Sequence, residues 1–207
     1  RLKTKYHIER FAETGSEYKI RFSILKDTVS VMLDTSGEGL HKRGYRRKSN
    51  EAPLKETLAA AICDTARIFP DTQLYDPFCG SGTIPIEAAL FSINRAPGLR
   101  RRFVAETWRN IMPKELWHDI RTEAKENETP DRETQIFASD IDPMAIKIAK
   151  QNAINAGVAD KIHFELSGNI RCYDMSIGKL NFEGGVGKCR SIVCGCVGVD
   201  VFRQEIC

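Results

Sequence analysis

Leu74 to Ala89 reads LYDPFCGSGTIPIEAA, and the fold turns on how this stretch is read. Leu74 and Tyr75 close an apolar strand, and Asp76-Pro77 stops it, because proline cannot donate to a strand ladder. Gly80 and Gly82 lack a Cβ, so the backbone can turn sharply there and a ligand can come close. A helix begins at Thr83, and its free N–H groups point back at the turn. Strand, glycine turn and helix N-terminus form the ligand corner of a doubly wound sheet, so the fold class expected is α/β. A dinucleotide site would continue as G-x-G-x-x-G, whereas Gly80-Ser81-Gly82 is followed by Thr83, Ile84 and Pro85. A P-loop sequence is also absent. An acid at the strand end suits a ligand carrying an ammonium group better than a pyrophosphate. The competing reading is a tight strand-to-helix turn that holds no ligand.

DPFCGSGT followed by IEAA resembles motif I of the class I S-adenosylmethionine (SAM) dependent methyltransferases that modify exocyclic amines of bases. The resemblance implies cofactor contacts from Asp76, Pro77, Phe78, Cys79, Gly80, Ser81, Gly82 and Thr83. Upstream, DTSGEGLHKRGYR and then EAPLKETLAAAI resemble the join between the THUMP and methyltransferase domains of the ribosomal RNA guanine-N2 methyltransferases of the RlmL type. On that resemblance, residues 1–33 are the tail of an α+β, RNA-binding THUMP domain. Residues 34–50 are then a basic linker, and residues 51–207 a partial Rossmann-like methyltransferase domain.

The hairpin that opens the chain fits this division. Tyr18 to Leu25 and Val29 to Leu33 read as two strands with a turn at Lys26-Asp27. Tyr18, Ile20, Phe22 and Ile24 alternate with polar residues, which predicts one buried face. In the linker, Lys42, Arg43 and Arg46 surround Tyr45, a pattern that can contact phosphates and stack on a base. A solvated linker is the plainer reading of the charge alone. RAPGLRRRF, which contains Arg101, resembles the family's Arg- and Trp-containing insertion, and its basic run is expected to face RNA. Trp108 and Trp117 are expected to be packing anchors of that insert. Glu51 to Phe69 is predicted to be a helix with a stripe of Leu54, Leu58, Ala61 and Ile62.

Downstream, Gln135 to Ser139 reads as the next strand, ending at Asp140. A carboxylate there can accept from both ribose hydroxyls, and Asp140 is assigned that role. Ile141 and Asp142 follow in the same turn. Asp142, just before Pro143, reads best as a helix N-cap, though it also lies within reach of a ribose hydroxyl. Ile146, Ala149, Ala153 and Ile154 are predicted to line one helix face, and Gly157 to cap its end. Lys161 to Leu166 is a third strand. In the family the next segment carries a partner for the adenine amino group, and Asn169 or Asp174 is the candidate here.

Beyond about Gly168 the likeness stops. Ser191 to Cys194 can supply a fourth strand, but Gly195-Cys196-Val197-Gly198 follows where the family has an Asn-Pro-Pro-Tyr type motif for the target base. The resemblance implies a chain incomplete at both ends, with the cofactor half of a site present and the base-holding half missing. The function expected is methylation of a guanine N2 in large-subunit ribosomal RNA. The rivals are a non-catalytic SAM- or RNA-binding remnant and a DNA amino-methyltransferase.

Composition sets the remaining bounds. A chain of 207 residues with 42% hydrophobic content can bury a core, and a net charge of +3 makes RNA binding a matter of local clusters. No apolar run approaches the roughly 20 residues of a membrane helix. Five of the seven cysteines fall after residue 171, spaced unlike zinc ligands, so no metal is expected. A cytoplasmic location with reduced thiols is the expectation.

Overall fold

A computed structural model describes residues 2–10, 14–46, 53–68, 72–166, 190–193 and 202–205. Asn169, Asp174 and residues 194–201 lie outside them. The chain divides into two compact units, Arg1–Gly39 with Arg102–Ile120, and Leu40–Arg101 with Arg121–Cys207.

The first unit holds a short helix α1 (Leu2–Tyr6) and an antiparallel pair, β1 (Lys19–Leu25) and β2 (Thr28–Asp34). Lys26 and Asp27 both take positive φ, 49° and 59°, which is the backbone of a two-residue hairpin turn. The register pairs Ile20 with Leu33, Phe22 with Val31 and Ile24 with Val29, so six apolar side chains share one face. That face was expected to be buried, yet Phe22 is 73% exposed and Val31 70%. Alternation fixes which side chains share a face, whereas burial needs a second layer against it. In the same unit, Trp108 is buried, stacks on Tyr18 at 4.9 Å and donates from Nε1 to the Glu17 carbonyl at 2.8 Å. Trp117 stacks on Phe103 at 5.6 Å, so both tryptophans pack as anchors.

The second unit is built on a five-stranded sheet in the order β5-β4-β3-β6-β7. Its strands are β3 (Gln73–Asp76), β4 (Gln135–Asp140), β5 (Ile162–Leu166), β6 (Arg190–Val193) and β7 (Phe202–Glu205). The first four run parallel, and β7 is antiparallel to β6. The fourth strand thus falls where Ser191 to Cys194 suggested, beside β3, while β7 was not foreseen. Successive strands step from β3 outward to β5, and β6 then lies on the other side of β3. The turn after β3 therefore sits at the point where strand order reverses, the usual ligand crevice of such sheets.

The helices are α2 (Glu56–Thr65), α3 (Thr83–Ser92), α4 (Lys114–Glu126) and α5 (Pro143–Ala156). Leu74, Ile136, Ala138 and Ile162 on the strands join Ala59, Cys63, Ile86, Ala89, Ala149 and Ala153 on the helices in one core. From Thr83 to Leu90 α3 is buried all round, as a central helix must be. On the opposite sheet face, Tyr75, Phe137 and His163 form a row, with centroids 5.0 and 5.9 Å apart. Two predicted stripes need correction. The buried positions of α2 are Glu56, Ala59 and Cys63, while Leu58 is 51% exposed. Ile154 of α5 is likewise exposed, and Asn152 takes an inner position instead. In α2 the apolar periodicity placed the stripe about one residue away from the true inward face, whereas in α5 Ile146, Ala149 and Ala153 are buried as expected and only Ile154 falls outside.

Candidate functional site: two carboxylates and a glycine turn

Asp76 and Asp140 end neighbouring parallel strands, and the glycine turn lies beside them. Asp76 is 1% exposed. Its Oδ1 accepts from the Phe78 N–H at 3.3 Å, while its Oδ2 is buried with no hydrogen-bond partner among the described residues. Burial pushes its carboxyl up to about 7, and the nearby Asp140 charge adds to the rise against the lowering effect of the Phe78 N–H. A buried carboxylate oxygen with no partner is costly and uncommon, and such groups point to a ligand or a catalytic role.

Asp140 is the satisfied counterpart. Its Oδ2 accepts from the Gly80 N–H at 2.9 Å and its Oδ1 from the Asp142 N–H at 3.0 Å. Each oxygen keeps a second lone pair, so the carboxylate can still receive hydroxyl donors. Asp142 Oδ1 accepts from the Met144 N–H at 2.8 Å and Pro143 opens α5, so Asp142 is the helix N-cap. Ile141 between them is 70% exposed.

The two glycines of the turn do different work. Gly80 has φ +53°, and a Cβ built there meets nothing within 4 Å among the described residues, which leaves its side open to a ligand. Gly82 has φ +80°, and a Cβ there would lie 3.0 Å from the Ala149 Cβ and 3.2 Å from its Cα. Gly82 lets α5 pack against the turn. The turn is fastened further by Cys79 N–H to the Ser139 carbonyl at 2.9 Å and by Asn152 Nδ2 to the Ser81 carbonyl at 3.0 Å. Phe78 is 36% exposed at the outer edge of the turn, whereas Cys79, Ser81 and Thr83 are buried. Asn152 was missed in the sequence. An amide among the alanines of an inward helix face was the available signal.

The expected RNA contacts need correction. Tyr45 is 3% exposed and donates to Glu87 Oε1 at 2.9 Å, so its ring is unavailable for base stacking. Arg43 pairs with Glu87 Oε2 at 3.1 Å. Arg46 donates to Thr83 Oγ1 at 2.7 Å and to the Leu54 carbonyl at 2.8 Å, with Glu56 at 3.5 Å. The cause is the pair of buried acids, Glu87 and Glu56, which a core tolerates only with cations beside them. Burial raises Glu87 to about 7, with Arg43 and the Tyr45 hydroxyl pulling the other way. It also raises the Tyr45 phenol above its ordinary range. Arg101 is buried too, while Lys42 stays exposed. Arg95 and Arg100 of the same basic run turn to the end of α5. Arg95 Nη1 donates to the Ala156 and Gly157 carbonyls, and Arg100 Nη1 to the Asn155 carbonyl, where a helix C-terminus favours cations. Among the described residues no cluster of His, Cys, Asp and Glu is disposed to hold a metal, and no helix is long and apolar enough to cross a membrane.

Comparison with known proteins puts this geometry in context. Residues 43–172 match the family model described as "RMKL-like, methyltransferase domain". The Bacillus subtilis protein named "Putative RNA methyltransferase YpsC" is 53% identical over 153 residues, 74% of this chain and 40% of its own length. A crystal structure from Listeria monocytogenes, described as a "predicted N6-adenine-specific DNA methylase", superposes with a TM-score of 0.78 at 45% identity. It covers 94% of this chain and 48% of its own. SMU.472, described as "a putative methyltransferase complexed with SAH", gives a TM-score of 0.76 at 36% identity, with the same coverage. The chain spans under half the length of these relatives.

Proposed function

Because the chain belongs to the RMKL-like methyltransferase-domain family, we propose that it is the cofactor-binding part of a SAM-dependent RNA methyltransferase, acting on the exocyclic N2 of a guanine in large-subunit ribosomal RNA. Its cofactor is S-adenosyl-L-methionine, in keeping with the SAH bound to SMU.472. The observation that carries the reading is the unpartnered Oδ2 of Asp76 at the end of the strand that leads into the turn, where the side of Gly80 is open. SAM supplies a methyl group made electrophilic by its sulfonium sulfur. The chain's own residues bind and orient. Asp76 receives the cofactor's ammonium group, which removes the cost of its buried oxygen. Asp140 accepts from the ribose hydroxyls while Gly80 and Asp142 hold it in place from behind. Pro77, Phe78 and Ile141 supply apolar walls. No metal or covalent nucleophile is called for, since positioning carries most of the rate for such a transfer.

RNA as substrate rests on the name of the Bacillus subtilis relative, and exposed cations such as Lys42 and Arg102 offer phosphate contacts. Residues 1–33 are read as the THUMP tail and the hairpin as its last two strands. A DNA amino-methyltransferase is the second reading, favoured by the description of the Listeria monocytogenes structure. Calorimetry of the full chain with S-adenosylhomocysteine tests the cofactor. Transfer of a labelled methyl group to ribosomal RNA or to DNA then tests the substrate. Saturable binding with label in RNA is the expected result. Label in DNA alone would replace this reading with the second, and binding without any transfer would mean a chain that binds SAM but does not catalyse.

A further inference from the structure

Arg46 is held at the head of α3 from three directions. Nη2 donates to Thr83 Oγ1 and to the Leu54 carbonyl, and Nε stands 3.5 Å from Glu56 Oε1. Its side chain is only 12% exposed, so it is part of the interior rather than a surface cation. A guanidinium has no acceptor, so Thr83 Oγ1 must accept in this bond, and its own proton is left to donate. Ser81 Oγ, at 3.4 Å, is a long partner for that proton.

Thr83 is the first residue of α3. Its N-cap, Gly82, offers no side-chain cap, so the first-turn amides lack the acceptor that a Ser or Asp would bring. A hydroxyl polarised by a guanidinium and the positive end of a helix together call for an anionic acceptor. The zwitterionic end of the cofactor carries one anion, its carboxylate, and one cation. Asp76 with its free Oδ2 suits the cation, which leaves the carboxylate for the head of α3.

We propose that Arg46 is a positioning residue for the cofactor, fixing the Thr83 hydroxyl as a donor to the carboxylate of the amino-acid end. This inference rests on SAM being the cofactor. It gives one residue of the LHKRGYR stretch a task at the cofactor rather than at RNA.

The test is calorimetry of the full chain with two ligands, S-adenosylhomocysteine and 5′-methylthioadenosine, which lacks the amino-acid end. Arg46→Ala and Thr83→Val are each expected to weaken S-adenosylhomocysteine about tenfold, the scale of one hydrogen bond to a charged group, and to spare 5′-methylthioadenosine. The double variant is expected to be no weaker than the worse single, because both remove the same contact. Equal losses for the two ligands, or additive losses in the double variant, would overturn the proposal. Thr83→Val keeps the side-chain shape, so it decides the matter if thermal unfolding shows that Arg46→Ala does not fold. A wild-type chain that binds neither ligand would instead overturn the cofactor reading, before any variant is compared.

Discussion

The tips of β3 and β4 carry the same side chain one strand apart, and the protein treats the two in opposite ways. Asp140 accepts two backbone N–H groups. Asp76 accepts one and keeps its other oxygen buried and alone. The first carboxylate is part of the scaffold that happens to retain lone pairs for a ligand. The second is a local defect in the free protein that a cationic ligand would repair. The difference shows that a binding site can be marked by what the fold leaves unsatisfied as much as by what it arranges.

The largest expected effect comes from removing the satisfied member. Asp140→Ala strands the Gly80 and Asp142 amides, at about 1–3 kcal/mol for each amide that stays buried. It should abolish detectable S-adenosylhomocysteine binding in calorimetry and lower the melting temperature together. Retained binding would separate Asp140 from the ribose.

Asp76→Asn should break the comparison the other way, weakening the ligand while stabilising the free protein. Burial pushes the folded carboxyl up to about 7 from its ordinary 3.8, so between these values the folded state holds a proton that the unfolded state has lost. That contribution to stability is full below about 4 and is lost as pH rises to about 7. Denaturant melts across this range should show the wild type losing stability relative to Asp76→Asn by a few kcal/mol at most. Ligand affinity should run the opposite way. An ammonium group favours the ionised carboxylate, so S-adenosylhomocysteine should bind more tightly as pH rises towards 7, and the Asn variant should lose that slope.

The glycines sharpen the contrast with smaller effects. Gly82→Ala forces a Cβ against Ala149 at a positive φ and should cost about 1–3 kcal/mol in melts. Gly80→Ala meets only the backbone strain of about 1 kcal/mol, yet should impair ligand binding more than stability, because its Cβ would enter the open side. Equal stability losses in the two variants would mean that Gly80 is not at the ligand face.

Much of this corner was legible in the sequence because its signals are local. Asp76-Pro77 stops a strand, Gly80 and Gly82 permit positive φ, and Asp142-Pro143 starts a helix, each within a few residues. The fourth strand, Arg190–Val193, was legible from its apolar run. The roles of Arg43, Tyr45 and Arg46 were not. A basic stretch with an aromatic looks the same whether it faces phosphate or a buried acid. The acid that settles it, Glu87, is 42 residues from Tyr45. Its presence in the otherwise apolar run TIPIEAAL was the one hint. The hairpin misled for the complementary reason, since a strand pattern names a face without naming its cover.

The fastening of the turn has a consequence for the order of assembly. Gly80 is tied to Asp140 across 60 positions, and the Ser81 carbonyl to Asn152 across 71. These contacts close long loops, whose entropy must be met before the bonds reward it. A nascent chain that has emerged only through α3 holds every residue of the DPFCGSGT turn but lacks Ser139, Asp140 and Asn152, which fasten it from later in the sequence. The corner is therefore completed late, once β4 and α5 have docked, and competence for the cofactor arrives as one cooperative step rather than growing with the chain.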